Sequence, residues 1–446
     1  MKKKVLLKQE AMETKNLPKN PWVNSLTFKL TIIGIIALLL LIPLSMIKSV
    51  IAERESTSLE VENEISAQWG HAQVLAGPIL NIPTKKSVVD KNGNLIVQKD
   101  WLHIMPYNLN ISTKINPEIR YRGIYKTAVY TSISEITGQF KFDINPEEIV
   151  GTPDWSKAVV TFGVSDTRGI RGDIKIKWHN KSIEPESGMH TKAITKTGFS
   201  IKTPLTVDDL DKNIPFDIQL ELSGSKTFTI LPLGQNSKID IASSWTNPSF
   251  SGNLLPLTRD VSENGFTAHW QLTHLNRNFP QYWQGARFDV WEHSLGVDLY
   301  LPVNHYQKAM RSAKYGILFI VLTLLVFLFI ELIYKKDVHL FQFLLVGLAL
   351  ILFFSLLTAL SEHTGFDIAY VIASTANISI ISLFAYGLLQ NLRLTSWITG
   401  LLILMYSFLF VLLQLNDLAF LAGNIGLVII LSVIMKASLK LSRQLS

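Results

Sequence analysis

The sequence predicts a polytopic membrane protein with about six transmembrane α-helices, one near the N-terminus and five at the C-terminal end, and a large extracytoplasmic all-β, sandwich-like domain inserted after the first helix. Three observations lead there. Hydrophobic residues form 48% of the 446 positions against 17% charged, and they gather at the two ends, in segment 30–47 and between Tyr315 and Met435. The middle has the polarity of a globular domain and alternates with period two between clusters of turn residues. Lysine and arginine mark the short connectors that would face the cytoplasm, which orients the whole.

Segment 1–29 is a basic cytoplasmic tail with Lys2, Lys3, Lys4, Lys8, Lys15, Lys19 and Lys29. Much of the net charge of +7 sits there, as positive-inside retention requires, so no nucleic-acid partner is expected. Segment 30–47 is the first transmembrane helix, long enough at about 18 residues to cross the hydrocarbon. No small-x-small cleavage site precedes Lys48, so an uncleaved anchor is expected. Pro43 falls near its outer end, where Ser45 or a neighbouring helix could satisfy the freed carbonyl. A stalk helix follows in 48–72, with Ile51, Leu59, Ile65 and Trp69 on one face and Glu53 and Arg54 at the interface.

Segment 73–314 is the β-rich domain. Runs such as 157–164, 172–178 and 227–230 concentrate β-formers between Asn, Asp, Gly and Pro. Lys91-Asn92-Gly93-Asn94, between Val88-Val89 and Leu95-Ile96-Val97, is the clearest hairpin turn. Segment 315–435 resolves into five spans at 315–334, 340–360, 366–390, 395–414 and 418–435, before a cytoplasmic tail at 436–446. With the N-terminus inside, Lys335, Lys336, Arg393, Lys436, Lys440 and Arg443 fall inside, whereas 361–365 and Asn416-Asp417 fall outside without Lys or Arg.

Laid out this way, the chain resembles the CreD family of bacterial inner-membrane proteins over nearly its whole length. The resemblance is carried by Leu41-Ile42-Pro43-Leu44, Ile51-Ala52-Glu53-Arg54, Trp69-Gly70 with Gln73, Gly77-Pro78-Ile79-Leu80 and Ser244-Trp245 with Pro248-Ser249-Phe250-Ser251-Gly252. It continues through Gly265-Phe266-Thr267-Ala268-His269-Trp270, Lys314-Tyr315-Gly316, Leu345-Val346-Gly347 and Leu360-Ser361-Glu362-His363-Thr364-Gly365-Phe366. Asn416-Asp417 departs from the acidic pair that the family pattern leads one to expect. The resemblance implies a place, the bacterial inner membrane, and a role in cell-envelope integrity or envelope stress. It supplies no reaction and no catalytic residues.

Nothing in the residues supplies a reaction either. There is no cysteine, hence no disulfide, thiolate metal site or thiol nucleophile. No P-loop, Gly-x-Ser-x-Gly elbow or His-Glu-x-x-His run occurs, and His269 and His274, five apart, point to opposite faces of a regular strand. No cofactor or metal is expected. Glu331 is read as one half of an i,i+4 ion pair with Lys335. Ser374, Thr375 and Asn377 are read as helix-packing contacts.

Two groups stand out as candidate functional residues. Glu362, His363, Asp367 and Asp417 form a polar outer rim of the helix bundle, and ionisable groups near a membrane are functional candidates by default. Among the eight tryptophans from Trp69 to Trp291, Trp283 and Trp291 flank Gly285-Ala286-Arg287 and are the candidates for an exposed, glycan-contacting pair. The expected function is non-enzymatic, with a periplasmic domain touching an envelope component such as peptidoglycan or another envelope protein. The alternative is a lipid- or small-molecule-handling membrane protein that uses the rim as its mouth.

Overall fold

The computed structural model describes residues 26–89, 94–299, 301, 305–334 and 338–415, together with 421–426 and positions 428, 429, 432 and 435. The chain divides into two compact units, one of residues 58–302 and one formed by 1–57 with 303–446.

The second of these units is helical. Five helices are long and apolar enough to cross a membrane among the described residues. They span Leu26–Trp69, His305–Tyr334, Leu340–Thr364, Phe366–Leu389 and Leu392–Gln414. Residues 421–426 are also helical, and Gly426 lies so close to Phe408 of the fifth helix that a Cβ there would sit 2.2 Å from its ring. Most of the rest of the sixth expected span, the basic tail before Leu26, Lys335-Lys336 and the tail after Met435 lie outside the described residues.

Anchor and stalk are not two elements. A single helix runs from Leu26 to Trp69 through Pro43, because the polar stretch after Ile47 lacks glycine and proline and continues the turn. Ser45 Oγ donates to the Ile42 carbonyl at 2.7 Å, which is not the Leu39 carbonyl that Pro43 releases. The expected stalk face is also broken, since Leu59 is exposed while Ser66 is buried. The second helix begins ten positions earlier than its apolar span, at His305, because Tyr306, Ala309 and Ala313 already present a buried stripe at helical spacing.

Between helices in lipid no hydrophobic gain is available, so close packing must supply the attraction. Glycines provide it at two contacts with the first helix. A Cβ on Gly347 would lie 2.2 Å from Leu40 Cδ1, and one on Gly316 would meet Phe354 and Leu44 at 2.9 and 3.2 Å. Leu40 and Leu44 are both 1% exposed, so neither can swing away. Asn377 Nδ2 donates to the Ala349 carbonyl at 2.5 Å and Tyr406 donates to Asn377 Oδ1 at 3.0 Å, which binds the third, fourth and fifth helices. The expected packing role of Asn377 is thus what its contacts describe.

The other unit is a pair of packed sheets. The first has ten strands, centred on Gln73–Val89, which pairs with Leu95–Ile104, Val159–Val164 and, in parallel, Thr227–Leu231. The second has eight, centred on the long hairpin Asn108–Arg122 with Tyr125–Phe140. Strand Asn108–Arg122 alternates buried and exposed along its first half, the signature of a sheet with one face in the core. Strand Val159–Val164 is buried throughout. One core joins the sheets face to face, with Leu75, Phe162 and Phe228 from the first against Ile111, Ile136 and Ile218 from the second. The hairpin at 89–95 is present in its flanking pairs Val88↔Ile96 and Val89↔Leu95, while Lys91-Asn92-Gly93 lies outside the described residues.

A smaller satellite core packs Ala76, Ile79, Met105, Leu231, Leu233, Phe279, Trp283 and Val290. Beside it His103 is fully buried, with Nδ1 at 2.6 Å from Asn81 Oδ1. Asn81 spends its own amide on the Ile79 carbonyl and Thr161 Oγ1, so its oxygen accepts and His103 Nδ1 carries the proton. Burial lowers the His103 pKa from 6.5 to about 4, opposed only weakly by Asp100.

Two outcomes follow from this packing. Gly347→Val should destabilise the purified protein by about 1–3 kcal/mol through overpacking against Leu40. Gly387→Val, where nothing lies within 4 Å of the added Cβ, should not, as thermal unfolding in detergent would report. Because the folded His103 resists a proton that the unfolded chain accepts, stability should fall as pH drops from 6.5 towards 4. The loss approaches about 3 kcal/mol, and His103→Gln should flatten that part of a denaturation-against-pH curve.

Candidate functional site

The outer-rim residues do not converge. Glu362, at the end of the third helix, accepts a hydrogen bond from Tyr306 Oη at 3.0 Å and lies 3.9 Å from Arg54 Nε. Its side chain is 9% exposed, so this carboxylate faces inward between the first and second helices. Asp367 opens the fourth helix and faces the other way, accepting from Gln414 Nε2 at 2.7 Å. Gln414 in turn accepts from Lys308, whose ammonium sits 5.2 Å above the Phe366 ring. His363 is exposed, and Asp417 lies outside the described residues. No hydrogen bond or ion pair joins any two of Glu362, His363 and Asp367 among the described residues. The reason is the helix period: one residue step turns 100°, so Glu362 and His363 leave their helix in different directions.

Glu331 is buried, not solvated, and among the described residues it pairs with Lys29 of the first helix; its expected partner Lys335 lies outside them. A cross-bundle ion pair at helix ends can be held out of water, where an i,i+4 pair on one helix surface would be solvated.

In the β unit the tryptophan pair divides. Trp283 is 5% exposed and belongs to the satellite core, edge-on to Phe279 and Phe288 and tilted against His103. It is no surface residue, because the strand Tyr282–Gln284 pairs with Leu95–Ile104 and turns this ring inward. Trp291 is 43% exposed, and of the eight tryptophans it alone is exposed.

Trp291 stands at the edge of a cleft of about 690 Å³. Its floor is the start of strand Gln73–Val89, at Val74 and Ala76, and the end of strand Val159–Val164, at Gly163 and Val164. One wall is segment 192–197, the other 286–291. The first wall is clamped down: Thr197 Oγ1 donates to the Val164 carbonyl at 2.7 Å, and Gly163 lets Thr195 sit where a Cβ would collide with it at 2.5 Å. The second is shaped by Asp289, which accepts from the Trp291 backbone N–H at 2.9 Å. Both walls rest on the satellite core, through Ile194 and through Phe288 and Val290.

Sequence reasoning passed over the supports of this cleft. Arg277 donates to the Leu233 carbonyl at 2.8 Å and covers the Phe279 ring at 4.5 Å, while Gln281 Nε2 donates to the carbonyls of Met105 and Pro106. Burial lowers the Arg277 pKa to about 10, still charged at neutral pH. Their partners lie 44 and more than 170 positions away, beyond any local pattern. Among the described residues no group of three His, Asp or Glu could hold a metal ion.

A family model described as inner membrane protein CreD matches residues 25–443. The inner membrane protein CreD of Escherichia coli (strain K12) is 33% identical over 423 residues, covering 92% of each chain. Among solved structures, an M1 zinc metallopeptidase of Deinococcus radiodurans in a complex with a Tyr-Ser-Ala substrate covers 44% of this chain and 42% of its own. It does so at 9% identity with a TM-score of 0.23, too slight a likeness to support any statement about fold or chemistry. Family match and relative agree in extent with the architecture of membrane helices around a large β domain, and the chain belongs to the CreD family of inner membrane proteins.

Proposed function

We propose that this chain is a non-enzymatic inner-membrane protein that serves cell-envelope integrity, with its termini in the cytoplasm and its β domain in the periplasm, where the domain contacts an envelope component. The observation that carries the proposal is the cleft beside Trp291, a concave surface on rigid strands with an exposed aromatic at its edge. Such surfaces are where small ligands and polymer units bind, and this volume lies in their usual range of about 300–1,000 Å³. The topology is supported by the lysines and arginines of the short connectors. The membrane helices anchor the contact in the bilayer.

The lipid-handling alternative draws on one observation, the inward-facing Glu362 with Tyr306 and Arg54. Buried charge in a bundle is costly, and so is commonly kept for a task.

Because the chain has no cysteine, an introduced thiol is unique. Glu263→Cys in the β domain should react with a membrane-impermeant maleimide in spheroplasts. Leu392→Cys, 74% exposed at the start of the fifth helix, should react only after lysis. Labelling of both before lysis, or of Leu392→Cys alone, overturns the topology. Complementation separates the two functions. In a strain lacking the endogenous copy and challenged with a wall-active agent, Trp291→Ala should fail to restore tolerance while Glu362→Gln restores it, at equal protein levels. The reverse pattern moves the function to the bundle.

A further inference from the structure

Resting on the reading that the β domain contacts an envelope component, we propose that the cleft beside Trp291 binds an anionic saccharide, a sugar chain carrying carboxylates. Three cations line the cleft, Lys192, Lys196 and Arg287, against the single carboxylate of Asp289. All three are exposed, and no ion pair or hydrogen bond engages them among the described residues. Some other cations of the domain are held by carboxylates, Arg168 by Asp166 at 2.9 Å, Lys226 by Glu62 and Lys202 by Glu186 at 2.7 Å, whereas the three in the cleft converge on one concave surface. Asp289 does not neutralise the cleft cations, because it is turned back to cap the Trp291 backbone. The lining therefore has an excess of positive charge directed at whatever enters, which favours an anion.

Charge alone would suit any polyanion. The ring beside it narrows the class. Trp291 is nearly half exposed, and its flat apolar face suits the C–H face of a sugar ring, while an ordinary acidic peptide would leave it wet. The walls need no rearrangement to present these groups, since 192–197 is clamped on Val164 and Gly163 and 286–291 rests on Phe288 and Val290.

The test uses the full chain in nanodiscs and isothermal titration with three probes: carboxylate-bearing disaccharide–peptide fragments of peptidoglycan, chitotriose as rings without charge, and triglutamate as charge without rings. The fragments should bind at least tenfold more tightly than either control. Arg287→Gln and Lys196→Gln should each weaken them about fivefold to tenfold, and Trp291→Ala by more, with Trp291→Phe intermediate. Unchanged melting temperatures would confirm that these exposed positions leave the fold intact. Binding should weaken as salt rises. Chitotriose binding as tightly as the fragments, or triglutamate doing so, overturns the assignment, as does indifference to all the substitutions. If the fragments fail to bind while Trp291→Ala still fails to complement, the ligand class is wrong and the envelope contact stands. If the fragments fail and Trp291→Ala complements fully, the contact itself falls.

Discussion

The β domain depends on one carboxamide. Gln73, the first residue of its first strand, is fully buried and has every hydrogen-bonding position filled. Its Nε2 donates to the carbonyls of Asp166 at 3.0 Å and Ser223 at 2.8 Å, and its Oε1 accepts from Asp166 N and Ser165 Oγ, each at 3.3 Å. Ser223 belongs to the second sheet and Gln73 to the first, so this side chain fixes where one sheet begins against the other. Around it the last turn of the long helix is welded to the same place. Trp69 Nε1 donates to the Tyr130 carbonyl, Ser223 Oγ donates to the Trp69 carbonyl, and the guanidinium groups of Arg120 and Arg171 lie at 4.7 and 5.2 Å over the indole. Gly70 allows the change of direction, with φ of 140° and Ser223 O only 2.5 Å from where a Cβ would be. Asp166 completes the junction by capping the His71 N–H, and Arg168 holds its carboxyl down to about 2.

The helical unit solves a different problem with different means. Where both lipid and protein are apolar, what distinguishes the folded arrangement is fit, and the glycines at 316 and 347 set how near the first helix approaches its neighbours. Several buried polar groups are matched there. Asn377 and Tyr406 satisfy each other inside the bundle, and the buried carboxylates Glu331 and Glu362 each meet a cation of the first helix, Lys29 and Arg54. The first helix thereby contributes charge at both ends of its apolar stretch as well as packing along it.

How much of this was legible in the sequence follows from the range of the forces. Apolar length and period-two alternation are local, so the spans expected at 340–360, 366–390 and 395–414 fall on the helices Leu340–Thr364, Phe366–Leu389 and Leu392–Gln414, and the sheet-rich middle could be read directly. Anchor and stalk are divided at Ile47 in the sequence because apolarity stops there, whereas the helical backbone continues to Trp69. Exposure of tryptophan is not local at all. Trp283 and Trp291 look alike in sequence, and only the pairing of Tyr282–Gln284 with Leu95–Ile104 sends one inward. The cleft was invisible for the same reason, since its floor, Val74, Ala76 and 163–165, is assembled by sheet pairing and its walls, 192–197 and 286–291, by packing on the satellite core. The pairing of Glu331 with Lys29, 302 positions away, lay beyond any local pattern for the same reason.

The strand that begins with Gln73 has a consequence in time. Its parallel neighbour is Phe228–Leu231, and the strand beyond that is Leu295–Leu299. A ribosome delivers these segments in order, so the first strand emerges long before the partners that complete its sheet. Until residue 231 has been made, the edge of Gln73–Ala76 is open and the Gln73 carboxamide lacks Ser223 for most of that time; the open edge then passes to Phe228–Leu231 until residue 299 is made. Pairings this distant fold slowly and leave unpaired edges waiting. The nascent domain therefore passes through an interval in which its fate rests on whatever keeps that edge from pairing with something else.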